Sequence, residues 1–235
     1  MYMTPVEFDV AELYEAFKGS GTDEDIVTEI LGSRNNKRLE GIKELYFKKY
    51  EEKLEDRVKS ECSGDYEKLI ISILQCSRDE SRTVNDSEVQ RDVKALYDAG
   101  EGKWGTDEET FNRIFSLRSS AHLAAVNSTY FNTHGKNLLD IVESEFSGDV
   151  KVLLKSILHS HINPADYFAQ RIYKACKGCG TNDQILIRSL VTTDEAFIGE
   201  IKKIYQKKYG MSLESQINDE CSGDYKEMLL QLVAS

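Results

Sequence analysis

Three glycine turns and three distant glutamates carry the chemistry of this 235-residue chain. The turns are Lys18-Gly19-Ser20-Gly21-Thr22-Asp23, Gly102-Lys103-Trp104-Gly105-Thr106-Asp107 and Lys177-Gly178-Cys179-Gly180-Thr181-Asn182. About forty residues past the last glycine of each stands a glutamate that opens Glu-x-Ser-Gly-Asp, at Glu61, Glu145 and Glu220. A Gly-x-Gly turn between helices exposes backbone carbonyls that no helix ladder consumes. Hard cations want oxygen ligands, and Ca2+ takes about six to eight in a flexible shell. Three carbonyls and a bidentate carboxylate supply about five, leaving room for water or for a phosphate oxygen of another molecule. A single Gly-x-Gly-Thr-Asp is an ordinary helix C-cap followed by an N-cap. Three copies with a glutamate in register form a repeated site.

The elements that must hold these turns read as helices, giving an all-α fold. Pro5 and Pro164 each sit sixteen residues before a turn glycine, behind the N-capping residues Thr4 and Asn163, and mark helix starts. Thr106 with Glu109 and Thr181 with Gln184 read as capping boxes for the helix after the turn, with Thr22 and Asp25 a weaker version. Leu39 to Tyr50 and Leu54 to Val58 supply two further helices. Leu69, Ile70, Ile73 and Leu74 match Leu153, Leu154, Ile157 and Leu158, and then Met228, Leu229, Leu232 and Val233, as the buried face of a closing helix. Each unit is then five helices in about seventy residues, with divisions at 1–76, 92–161 and 162–235 and a polar linker at 77–91.

A net charge of −11 argues against a nucleic-acid binder, which needs a basic face. The same charge repels an acidic membrane unless a cation intervenes, and three divalent cations would offset more than half of it. No apolar run reaches the length of a membrane span and the amino terminus lacks a signal-peptide core, so a soluble cytosolic protein is expected. Five cysteines fit reduced thiols better than a disulfide framework. Trp104, at the tip of the second turn, suits a membrane interface, with an apolar ring and one polar N–H.

An enzyme is disfavoured. Cys176-Lys177-Gly178-Cys179 has redox spacing but lies in a glycine turn outside any βαβ context. His122, His134, His159 and His161 do not recur between units, and His159-Ser160-His161 reads as solvated linker sequence rather than a metal contact. The rival class is a helical-repeat scaffold, cytoskeletal or otherwise, that binds protein with little affinity for lipid. A pure scaffold has no reason to keep an acid at one distance from every glycine turn.

The turn, the acid about forty positions on and the five-helix unit together resemble the annexin family over essentially the whole chain. That resemblance implies right-handed helix bundles, calcium loops on a shared convex face, and reversible binding to acidic phospholipid when calcium rises, with the protein peripheral to the membrane. It implies calcium ligands residue by residue: the carbonyls of Phe17, Gly19 and Gly21 with Glu61; those of Gly100, Lys103 and Gly105 with Glu145, across one extra loop residue; and those of Cys176, Gly178 and Gly180 with Glu220. Annexin cores usually hold four repeats, and the Lys-Trp-Gly-Thr-Asp turn and the linker before it make these copies look like the second, third and fourth. The first repeat and most of the amino-terminal arm would then be missing. The unit from Asn163 to Ser235 would lack its usual neighbour, which implies self-association.

Overall fold

Thr4 starts the first helix by accepting from the Glu7 backbone N–H at 3.2 Å while the Glu7 carboxylate accepts from the Thr4 N–H at 2.7 Å, with Pro5 in the first turn. From there a computed structural model, which describes residues 3–19, 21–177, 180–193 and 195–234, shows helices only among those residues. Helices α1–α5 are Pro5–Ala16, Glu24–Ser33, Asn36–Tyr50, Leu54–Glu61 and Gly64–Ile73. Helices α6–α10 are Asp86–Ala99, Glu108–Leu117, Ser120–His134, Leu138–Glu145 and Gly148–Ile162. Helices α11–α15 are Pro164–Cys176, Asp183–Val191, Glu195–Tyr209, Leu213–Glu220 and Gly223–Val233. Three sets of five agree with the expected repeat. No described helix is long and apolar enough to cross a membrane.

The chain forms two compact units, Met1–Ile162 with α1–α10 and Asn163–Ser235 with α11–α15. Within the first, α2 lies against α10 so closely that a Cβ on Gly32 would sit 3.2 Å from Leu153 Cδ1. The Ser160 hydroxyl donates to the Gly32 carbonyl at 3.3 Å, and Val27, Ile30, Leu31, Leu153 and Ile157 are sealed from water. The closing-helix stripe is buried as expected in α5 and α10. In α15, Leu229 and Val233 are buried but Met228 is 44% exposed. Within the first unit α5 also packs on α7 and α10, and α10 on α2, and within its own unit α15 packs on α12, α13 and α14.

The stretch expected as linker, 77–91, is shorter and better anchored than its polarity implies. Helix α6 begins at Asp86, because Asn85 Oδ1 accepts from the Ser87 and Glu88 N–H groups at 3.0 and 3.2 Å. Two of the remaining residues are pinned to the end of α7: Arg78 donates to the carbonyls of Arg118 at 2.8 Å and Phe115 at 2.6 Å, and the Asp79 N–H donates to Leu117 O at 2.8 Å. Burial pushes the Arg78 guanidinium down to about 10. His159, Ser160 and His161 are not solvated linker either but the last turns of α10. His161 Nδ1 lies 3.0 Å from Ser120 Oγ, and burial together with the Arg78 charge holds it well below the usual imidazole range.

Each of the first two repeats ties its helices with a buried carboxylate. Asp9 in α1 is sealed from water and accepts from Arg34 Nε and Nη2, both at 3.0 Å, and from Arg38 Nε at 2.7 Å. Asp92 in α6 accepts from Arg118 Nε at 2.6 Å and faces His122 Nε2 at 2.8 Å. At the matching place in the third repeat, Phe168 meets Phe197 edge to face at 6.1 Å. An aromatic pair thus does in α11 and α13 what an ion pair does elsewhere. Asp9→Asn should leave buried guanidinium groups underpaired and cost about 3–5 kcal/mol. A free energy of unfolding in urea within about 1 kcal/mol of the natural chain's would show that the cluster contributes only shape.

Candidate functional site: three glycine loops and their glutamates

Each glycine loop is closed by one backbone bond. Asp23 N–H donates to Ala16 O at 2.9 Å, Asp107 N–H to Ala99 O at 2.7 Å, and Asn182 N–H to Ala175 O at 2.7 Å. The last glycine of each loop has a left-handed backbone, φ being 105° at Gly21, 85° at Gly105 and 87° at Gly180, which side-chain-bearing residues rarely adopt. The helix cap beyond each loop falls one residue later than the expected capping boxes. Asp23, Asp107 and Asn182 accept from the N–H groups of Ile26, Thr110 and Ile185 at 3.1, 3.3 and 3.2 Å. Asp and Asn cap at least as well as Thr, and the threonine is released for other work. In the second loop the Thr106 hydroxyl donates to Glu145 Oε2 at 2.9 Å.

The three glutamates are the last residues of α4, α9 and α14. The next residue turns extended, and its N–H returns to Val58, Val142 or Ile217 O at 2.8, 3.2 and 3.0 Å. A carboxylate at a helix C-terminus faces the negative end of the helix dipole and a set of unpaired carbonyls. That environment calls for a positive charge.

In the first loop a positive charge is there. Arg57, one turn before Glu61, sends Nη2 both to the Phe17 carbonyl oxygen and to Glu61 Oε1, the latter at 3.3 Å. Two of the four implied ligands of this loop therefore converge on one cationic group, while Gly19 and Gly21 stand exposed. In the second loop Gly100 is buried against Glu145, where a Cβ would lie 3.3 Å from the glutamate's Cγ. The Gly100 carbonyl accepts from the Lys103 N–H at 3.1 Å and keeps a second lone pair. Lys103 and Gly105 are exposed, and Trp104 stands wholly in solvent at 103% of its reference area. In the third loop Cys176 is buried, Gly180 and Glu220 are exposed, and Gln216 Nε2 donates to Glu220 Oε1 at 3.3 Å. Gly178 and Cys179 lie outside the described residues.

Oxygen donors of this kind fit Ca2+, and in the first loop two of them, the Phe17 carbonyl and Glu61 Oε1, face the Arg57 guanidinium. Among the described residues no cluster of three or more His, Cys, Asp or Glu side chains forms a metal centre, so a metal at these loops would rely on backbone carbonyls. The described cysteines, Cys62, Cys76, Cys176 and Cys221, are free thiols. Burial pushes Cys176 up to about 12, which removes the thiolate a redox role would need.

Several supporting residues carry no signal in the sequence. Beneath the loops lie stacked rings, Tyr14 on Tyr50 at 3.9 Å, Tyr97 on His134 at 4.4 Å and Tyr173 on Tyr209 at 3.8 Å. Lys18 and Lys177, the first residues of their turns, lie over Tyr14 and Tyr173 at 5.9 and 5.6 Å. The pairing is hidden because its members are more than thirty residues apart in sequence. In the second loop Glu101 takes over the anchoring: burial alone would raise its carboxyl, but hydrogen bonds from Lys136 and Tyr130 hold it below the usual range.

Fold and loops together define a helical-repeat protein with three glycine-loop sites. The chain belongs to the annexin family, whose model, described as Annexin, matches residues 8–73, 91–157 and 167–232. It is 42% identical over 231 residues to Annexin A7 of Dictyostelium discoideum, across 98% of this chain and 50% of that protein, so it spans half of that relative's length. Among solved structures it resembles annexin III, with a TM-score of 0.95 and 36% identity over 99% of this chain and 72% of that one. It also resembles a calcium-bound annexin (Sm)1, with a TM-score of 0.87 and 29% identity over 98% of this chain and 70% of that one. Family membership accords with a protein that is not an enzyme.

Among the described loop glycines the tightest is in the second loop. A Cβ on Gly102 would lie 2.9 Å from the Tyr97 carbonyl oxygen and about as close to its ring. Gly102→Ala should therefore displace this loop and destabilise the protein by about 1–3 kcal/mol in denaturant unfolding. An unchanged midpoint with unchanged Trp104 emission would show that the loop absorbs the methyl group.

Proposed function

We propose that this protein binds acidic phospholipid membranes in a calcium-dependent manner through its three glycine loops. The observation that carries the reading is the first loop, where a backbone carbonyl and the distant Glu61 carboxylate meet on a single cation. The family to which the chain belongs is one of calcium-dependent phospholipid-binding proteins, and one structure it resembles is described as calcium-bound.

The residues that would hold calcium are Phe17, Gly19, Gly21 and Glu61; Gly100, Lys103, Gly105 and Glu145; and Cys176, Gly178, Gly180 and Glu220, through carbonyls in all but the glutamates. Calcium, when bound, supplies the positive charge that joins these oxygens to a lipid phosphate. The chain's part is to hold the oxygens and exclude alternatives. The Ala16, Ala99 and Ala175 closures fix the loops, Thr106 orients Glu145, and a net charge of −11 keeps the protein off an acidic surface until cations arrive. Trp104, fully exposed on its loop, would enter the interfacial layer. The protein would be soluble and reversibly peripheral to membranes.

Sedimentation with phosphatidylserine vesicles tests this directly. Binding with calcium that is lost in chelator is the expected result, whereas calcium-independent binding, or none, favours the protein-binding scaffold. Replacing Glu61, Glu145 and Glu220 by Gln should raise the calcium needed for half-maximal binding by about tenfold or more, each lost carboxylate weakening one site. Because Trp104 is the only tryptophan in the chain, its emission should shift to the blue on adding vesicles with calcium and stay unchanged with vesicles in chelator. Emission that ignores the vesicles would remove Trp104 from the contact.

A further inference from the structure

We propose that Arg57 is a tethered cation that occupies the first loop at low calcium and must leave before calcium enters, which gives this loop a higher calcium requirement than the second. The inference rests on the calcium reading of the loops and adds a regulatory element to it. Arg57 Nη2 donates to the Phe17 carbonyl and lies 3.3 Å from Glu61 Oε1, so it holds the implied ligand from the loop and the implied ligand from α4 at once. The pair is not an ordinary exposed helix contact. The Arg57 and Glu61 side chains are only 28% and 23% exposed, and the third partner comes from another element forty residues away. A charge-assisted bond of this kind is stronger than a solvated pair between residues four apart. The guanidinium uses one lone pair on each oxygen, and its positive charge, held between them, repels a second cation from the same place.

The other repeats lack this device. The residue four before each glutamate is Ile141 in the second repeat, sealed in the core, and Gln216 in the third, a neutral amide held by Tyr205 at 3.1 Å. Only the first glutamate carries its own positive partner one turn back. The three loops are therefore unequal. At low calcium the first is closed by an internal ion pair, and it opens as calcium rises past the level that serves the second.

Site-resolved calcium titration of the full chain by amide NMR tests this with calcium alone as the probe. In the natural chain the Gly21 amide should shift at a higher calcium concentration than the Gly105 amide. Arg57→Gln, which installs the third repeat's residue type, should lower the Gly21 midpoint about tenfold and leave the Gly105 midpoint in place. A Gly21 midpoint that is unchanged or raised would overturn the proposal. The natural chain offers a second test without any substitution: the Arg57 Nη2–H signal, whose protons make the contact, should exchange slowly with water in chelator and rapidly once the Gly21 shift saturates. An Arg57 signal indifferent to that shift would also overturn it. Should Gly105 respond to calcium and Arg57 have no influence, only this inference fails. If no loop glycine responds, the calcium reading itself fails and this inference falls with it.

Discussion

The three loops depend on one backbone hydrogen bond each, from the residue after the loop threonine to the alanine carbonyl near the end of the preceding helix. A chain leaving a helix has unpaired carbonyls that must find donors, water or a cation. By consuming the Ala16, Ala99 or Ala175 carbonyl, this bond joins the two ends of each loop. The second loop has one residue more and still closes at 2.7 Å, because Gly102 folds back onto Tyr97 and takes up the excess. The geometry survives the insertion because a glycine stands where any side chain would collide.

The distant glutamates follow from a second constraint, the termination of α4, α9 and α14. Their acidic ends place charge where the helix dipole disfavours it. The chain answers differently each time, with a guanidinium at Glu61, a threonine hydroxyl at Glu145 and a glutamine amide at Glu220. Equal motifs therefore do not make equal sites. The cores vary in the same manner, with buried Asp9 and Asp92 clusters in two repeats and a Phe168 and Phe197 pair in the third. Ion pair and aromatic pair fill the same space by different physics, so the scaffold tolerates the exchange as long as each set is complete.

Much of the fold is legible in the chain. Pro5 behind Thr4 and Pro164 behind Asn163 mark helix starts, and the Leu153-to-Leu158 stripe marks a buried helix face. The departures are local and physical. Polarity makes 77–91 look like a free tether, yet Asn85 caps a helix there and Arg78 is drawn into carbonyls of α7. Threonine looks like the cap because the glutamate or glutamine three residues on completes a box, but the neighbouring Asp or Asn reaches the helix N–H groups instead. Met228 looks buried because its stripe is periodic, yet within its own unit it stands 44% exposed while Leu229 and Val233 take the core.

The linear order of residues determined the repeat, the helical class and the presence of a glycine turn and an acid in every unit, because these are properties of spacing. Tertiary structure alone decided which groups meet. Tyr14 on Tyr50, Thr106 on Glu145 and Arg57 between Phe17 and Glu61 are contacts between elements, and no periodicity records them. The physical reason is that hydrogen bonds and ion pairs act over a few ångströms in space, at distances that separation along the chain does not encode.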